Sequence, residues 1–197
     1  MNIAPIEIED AENVADIYEK YLNSGAAIRE HIRADISMKK YVGYKAVEDG
    51  KIVGIMSGRP GIDFTYPHPE LEEEIKNSFP GEEIFSNESI LILPEYRNHG
   101  LARELSRKMV RKIYEKGYRL LLAELWIYPD GSVPAAEITD HWGQLVYEKR
   151  KELFYDQLEQ YGMECPLCGS HCICGAMIRL FRLTERPAGG EKCQIQN

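Results

Sequence analysis

No apolar run in this sequence approaches the roughly 20 residues that a membrane-crossing helix needs, so no membrane association is expected. The opening residues Met1-Asn2-Ile3-Ala4-Pro5 show neither the basic nor the apolar region of a secretory leader. A cytoplasmic protein with reduced thiols is therefore expected. Positive charge is scarce as well: 24 Lys plus Arg stand against 32 Asp plus Glu in 197 residues, a net charge of −8. Phosphate backbones need a basic face, so nucleic acid is excluded as an expected partner, whereas a cationic small molecule would be attracted. Cysteine is sparse, five residues in all, yet four of them crowd into 165–174. What is present in quantity is apolar surface, 44% of residues, enough to build a core within one domain.

Ile6 and Ile8 alternate with Glu7 and Glu9, predicting a short strand. Asp10 offers a helix cap before Val14, Ile17, Tyr18 and Tyr21 at helical spacing. Asn23-Ser24-Gly25 breaks that helix, and Ala27, Ile28, Ile32 and Ile36 predict a second one ending near Lys40. Two apolar runs around Asp49-Gly50 predict a hairpin. Residues 60–85 carry four prolines among many glutamates and read as an acidic insertion with one short helix, either a lid or a solvated loop. Ser89 to Leu93 then predicts a strand, Leu101 to Ile113 a helix ending at Gly117, and Leu120 to Ile127 a strand buried on both faces. Ile138, Trp142, Leu145, Val146, Leu153, Phe154 and Leu158 predict a long helix, and Ala176 to Leu183 a last strand. The expected class is α/β, a mixed sheet with helices on both faces. A domain of 1–184 would hold the 60–85 insertion and a Cys-rich hairpin at 163–175, followed by a frayed tail, 185–197.

The passage from strand to helix through Pro94-Glu95-Tyr96-Arg97-Asn98-His99-Gly100-Leu101-Ala102-Arg103 carries the chemistry. A tight turn at a helix start presents unsatisfied N–H groups and the positive end of the helix dipole, which together bind phosphate or pyrophosphate. Gly100 lets the backbone approach a ligand, Ala102 keeps the first turn uncrowded, and Arg97 and Arg103 add positive charge.

Arg97-x-x-Gly100-x-Ala102, with the lead-in Ile92-Leu93-Pro94-Glu95-Tyr96, resembles the Gln/Arg-x-x-Gly-x-Gly/Ala motif of the GNAT superfamily of N-acetyltransferases. The resemblance spans roughly Ile3 to Leu183. It implies the acyl-CoA N-acyltransferase fold, β-α-α-β-β-β-α-β-α-β, and direct transfer of acetyl from acetyl-CoA to an amine. By the same resemblance the amides of Asn98, His99, Gly100, Leu101, Ala102 and Arg103 would cradle the pyrophosphate of coenzyme A. The backbone of Leu91, Ile92 and Leu93 would pair with its pantetheine arm, and the two central strands would splay around the thioester.

Glu124, set among Leu120 to Ile127, is the leading candidate for the base, since burial would raise its pKa. The other reading is an acid at the strand edge or one paired with an arginine. Glu88 is the second candidate. Family members place an acidic tyrosine before a Gly-Phe pair in the last helix; here Gly162-Met163 holds the pair and Leu158 the tyrosine's place, which departs from the pattern. Tyr155, one turn earlier, is the substitute, or else a packed aromatic.

Cys165-Pro166-Leu167-Cys168-Gly169 reads as a zinc knuckle, and Cys172 and Cys174, with His171 as an alternative ligand, complete a tetrahedral set. Structural zinc, buried thiols, a disulfide and an iron–sulfur cluster all stay open. Cys193 is expected as a free thiol. The functional expectation is an acetyltransferase for a small, cationic amine or a protein amine, with assembly as a homodimer compatible with the sequence. The rival is a non-catalytic acyl-CoA sensor or interaction module.

Overall fold

The computed structural model describes residues 1–22, 28–38, 41–169 and 171–185. The Asn23–Gly25 break, the end of the second helix at Lys40, and the tail with Cys193 lie outside them. Seven strands form one mixed sheet: β1 (Asn2–Pro5), β2 (Val42–Glu48), β3 (Lys51–Pro60), β4 (Ile84–Ile92), β5 (Leu120–Ile127), β6 (Gln144–Lys151) and β7 (Gly175–Arg182). Their order is β1-β2-β3-β4-β5-β7-β6, antiparallel except for the central β4/β5 pair. The helices are α1 (Ala11–Tyr21), α2 (Ile28–Ser37), α3 (Pro69–Ser78), α4 (Leu101–Glu115) and the single turn α5 (Ala136–Thr139). No described helix is long and apolar enough to cross a membrane.

The alternation along β5 explains the layering. Leu121, Ala123 and Leu125 join α4 residues Leu105, Met109 and Ile113 in one buried cluster, while Leu120 and Leu122 face a second cluster with Ile75 of α3, Phe154, Tyr155 and Leu158. Each such side chain contributes roughly 1.5–3 kcal/mol on burial. α1 and α2 cover the other half of that second face, packing Val14, Ile17 and Ile32 against Ile55. Strand parity fixes which side Glu124 takes: it follows Leu120 and Leu122 away from α4.

Three expectations fail. Ile6 to Glu9 is not strand; Ile8–Asp10 is a 3-10 turn in which Asp10 accepts the Glu7 N–H at 2.8 Å, and its side chain does not cap α1. β4 begins at Ile84, inside the segment read as insertion. The long helix over Ile138 to Leu158 is absent: α5 ends at Thr139, and Gln144–Lys151 forms the edge strand β6 against β7. A 3-10 turn, Leu158–Tyr161, follows.

Candidate active site

β4 and β5 pair only from Ile84↔Leu120 to Asn87↔Ala123, although both strands run on. Beyond that point they diverge, and the first residue past the last pair is Glu88 on one bank and Glu124 on the other. The register of β4 against β3 shifts at the same place: Ser57 faces Ser89 but Gly58 faces Asn87, leaving Glu88 as the extra residue of a β-bulge. The hydrophobic pattern requires this. Phe85 and, beyond the bulge, Ile90 and Ile92 all face the α4 cluster, and an odd-to-even change of parity needs one inserted residue. A cleft of about 1080 Å³ occupies the divergence.

At one part of the cleft lies the turn into α4. Asn98 and Gly100 take positive φ, 63° and 78°, a backbone that glycine adopts without strain. The Gly100 carbonyl accepts the first helical bond, from the Glu104 N–H at 3.1 Å, so Leu101, Ala102 and Arg103 have no acceptor for their N–H groups within the helix. Among the described residues no side chain caps them, and residues 97–100 are exposed. The Leu93 N–H donates to the Val53 carbonyl on β3 at 3.0 Å, so the alternate residue Ile92 turns its carbonyl to the open edge, where Arg97 Nε donates to it at 2.9 Å. Of the residues proposed from sequence for coenzyme A, Leu91, Ile92, Arg97, Asn98, Gly100, Leu101, Ala102 and Arg103 line the cleft; Leu93 and His99 do not.

Glu124 accepts three hydrogen bonds, from the Thr65 N–H at 2.9 Å, Thr65 Oγ1 at 2.6 Å and the Tyr155 hydroxyl at 2.7 Å. Burial raises its pKa above the ordinary carboxylate value, against the lowering effect of those donors. Tyr155 lies in the turn after β6 rather than on a helix, is fully buried, and does not line the cleft. Its own pKa is pushed well up by burial and by the neighbouring carboxylate. Leu158, at the family's tyrosine position, is buried in the same cluster.

Glu88 sits against Arg59, Oε1 to Nε at 3.0 Å, and burial pushes its pKa up to about 8 despite that cation. Arg59 also pairs with Asp35 at 2.8 Å and Asp63 at 2.8 Å, three carboxylates on one guanidinium. Behind them the Tyr18 hydroxyl, Ser57 and Ser89 form a buried chain at 2.5–3.0 Å. The side-chain amide oxygen of Asn87, a residue on the last β4/β5 pair and among those lining the cleft, has no hydrogen-bond partner among the described residues. Arg59, Asp35, Asp63, Thr65 and Asn87 were not singled out from sequence. The one signal was Arg59 itself, a cation ending the apolar run Ile52–Gly58.

Four sulfurs, those of Cys165, Cys168, Cys172 and Cys174, lie within 4.8 Å of one another on the far wall, and all four are free thiols. His171 is exposed and outside this group.

A sheet split at its central parallel pair, with unsatisfied helix-start amides beside the gap, is the arrangement that the GNAT resemblance implied. The chain belongs to the acetyltransferase (GNAT) family, whose model matches residues 8–138. No curated protein matches it significantly by sequence. Among solved structures it is similar in fold to NAA60 of Arabidopsis thaliana in complex with acetyl-CoA, at 14% identity and a TM-score of 0.63, covering 92% of this chain and 97% of that one. It is similar also to the ribosomal-protein-S18-alanine N-acetyltransferase of Escherichia coli, at 12% identity and TM-score 0.59, covering 97% and 99% of the two chains. A third is an aminoglycoside 6'-acetyltransferase type Ii, at 9% identity and TM-score 0.56, covering 95% and 100%.

Proposed function

We propose that the protein transfers acetyl from acetyl-CoA to the amine of a small, cationic acceptor, with Glu124 receiving the proton that the ammonium group must lose. The observation that carries this reading is the placement of a carboxylate of raised pKa at the point where β4 and β5 part, on the cleft that the α4 amides also border. The N–H groups of Leu101, Ala102 and Arg103 hold the pyrophosphate, supported by Arg97 and Arg103. The outward edge of β4 past Asn87 offers its alternate amides to the pantetheine arm as an added strand would.

An acceptor arrives as an ammonium ion. Asp35, Asp63 and Glu124, with Arg59 as the cation among them, give that part of the cleft a negative excess. Glu124 takes one proton; the neutral amine then forms its bond to the thioester carbonyl carbon while the carbon–sulfur bond breaks, and the second proton that the nitrogen sheds on becoming an amide goes to the departing thiolate. Tyr155 serves as a positioning residue: its hydroxyl and Thr65 fix the carboxylate, and burial keeps it from the leaving sulfur. Glu88, neutral or paired with Arg59, shapes the acceptor's side of the gap. The acidic insertion contributes through Asp63 and Thr65, which reach Arg59 and Glu124.

A second reading, an N-terminal peptide amine as acceptor, is favoured by the fold likeness to a ribosomal-protein alanine acetyltransferase. Incubation with acetyl-CoA and separate panels of polyamines, aminoglycosides and short peptides separates the two by release of free thiol. Glu124→Gln should lower turnover roughly 10²- to 10⁴-fold with acetyl-CoA affinity retained. Unchanged turnover removes Glu124 as the base, and binding of acetyl-CoA without transfer to any acceptor turns the reading to a sensor.

A further inference from the structure

We propose that Cys165, Cys168, Cys172 and Cys174 bind one zinc ion as four thiolates, and that this site fixes the acceptor-side wall of the cleft. The Cys168 and Cys174 sulfurs are 3.7 Å apart and those of Cys165 and Cys174 4.0 Å apart. A tetrahedron with Zn–S bonds of about 2.3 Å has edges of about 3.8 Å. A disulfide would need two sulfurs at about 2.05 Å, and the four remain free.

The backbone already gathers the four sulfurs. Cys165 and Gly169 exchange backbone bonds, N–H to carbonyl at 3.2 and 2.9 Å, which closes the knuckle. The Leu167 N–H points at Cys165 Sγ and the Cys174 N–H at Cys172 Sγ, each at 3.4 Å. Three of the four cysteines are buried, at 0–3% exposure, whereas Ile173 between two of them is 60% exposed, so the segment turns its sulfurs inward and its apolar side chain out. Hydrophobic packing alone would give the reverse.

The place of the site in the fold gives it a consequence. Cys174 immediately precedes β7, whose first residue Gly175 pairs with Ile127 at the end of β5. The knuckle follows the turn that carries Tyr155 and Leu158, and its cysteines share their buried cluster. Met163, Glu164, Pro166 and Leu167 reach the cleft. The ion ties this segment to the diverging end of β5, where Glu124 works. Binding breaks four S–H bonds and releases their protons to solvent, with no change of oxidation state. This consequence rests on the function proposed above; metal binding itself does not.

The test uses the full chain purified without added metal. Elemental analysis should give one zinc per chain, with four of the five thiols shielded from a thiol reagent until a chelator is added. Exchange with cobalt(II) should produce the visible absorption of a tetrahedral tetrathiolate. Cys193→Ser should leave metal content unchanged and Cys172→Ser should lower it; the cobalt spectrum of the unmodified chain decides the matter if the latter variant fails to fold. Chelation should raise the acceptor KM severalfold and leave acetyl-CoA affinity in place. Metal-free protein with four reactive thiols, a disulfide by mass, or iron with labile sulfide would each overturn the assignment. Zinc without transfer would instead sink the proposed function, and transfer without zinc this inference alone.

Discussion

Glu124 and Glu88 carry the same carboxyl group one residue past the same junction, yet their surroundings divide the work between them. Glu124 has three donors and, among the described residues, no ion pair; Glu88 has a guanidinium that is shared with Asp35 and Asp63. The Tyr155 hydroxyl stabilises the ionised form of Glu124, so Tyr155→Phe, which keeps the ring packing, raises the pKa of Glu124 further. A base must be ionised to act. The acid limb of the kcat profile should therefore move to higher pH, with the acetyl-CoA KM unmoved; a profile that stays in place would show that the hydroxyl does not orient the base. Glu88 bears on stability. Its pKa is raised from 4.5 to about 8, so its neutral form is the one the fold prefers. The contribution is fully present below 4.5 and is lost as pH rises past about 8. Urea unfolding across that window should show wild type losing stability relative to Glu88→Gln, and parallel curves for the two would contradict the burial argument.

At the scale of elements, the bulge is what brings these carboxylates to the junction, and Gly58 makes it possible. A Cβ there would stand 2.2 Å from the Ser86 carbonyl oxygen and 2.8 Å from Phe85 and Met109. The nearest atom belongs to the backbone and cannot swing away. Gly58→Ala should cost at least the 1–3 kcal/mol typical of overpacking, lowering Tm by roughly 2–4 °C per kcal/mol at this chain length. An unchanged Tm would mean that β3 and β4 can part at the bulge. The sequence revealed the helix at Leu101, its glycine turn and the two-faced strand Leu120–Ile127, because each is written in local periodicity. It misled at 138–158. Trp142, Leu145 and Val146 fall at spacings a helix would also use, but Gly143 sits so close to the Arg182 carbonyl, 2.4 Å from a would-be Cβ, that the chain there is already against β7. β6 is an edge strand whose charged run Glu148-Lys149-Arg150-Lys151 has no apolar alternation to announce it. Its identity comes from the pairing with β7, a long-range fact. Glu124 was legible for the same reason as its strand. Thr65 was not, and Tyr155, named from sequence as a substitute acid on a helix, was not legible as its hydrogen-bond partner, since the two come from 59 residues before it and 31 after it.

For the molecule as a whole, charge is the property most directly tied to the acceptor. In a chain of net charge −8, the charges that line the cleft are segregated: Arg97 and Arg103 stand at the α4 turn, and Asp35, Asp63 and Glu124, with Arg59 among them, at the junction. On the proposed function, an anionic thioester and a cationic amine would be drawn to different parts of one opening. Salt screens such fields over about 10 Å at 0.1 M and about 3 Å at 1 M, so the two substrates should respond according to their charge. With a polyamine as acceptor, kcat/KM should fall severalfold between low and high salt, chiefly through KM. With a singly charged amine the fall should be slight. A steady-state series in sodium chloride at fixed, saturating acetyl-CoA isolates the acceptor's part. If the polyamine series stays flat while transfer still occurs, the carboxylates at the junction are not the acceptor's attractor, and a peptide amine held by shape and hydrogen bonds becomes the better substrate class.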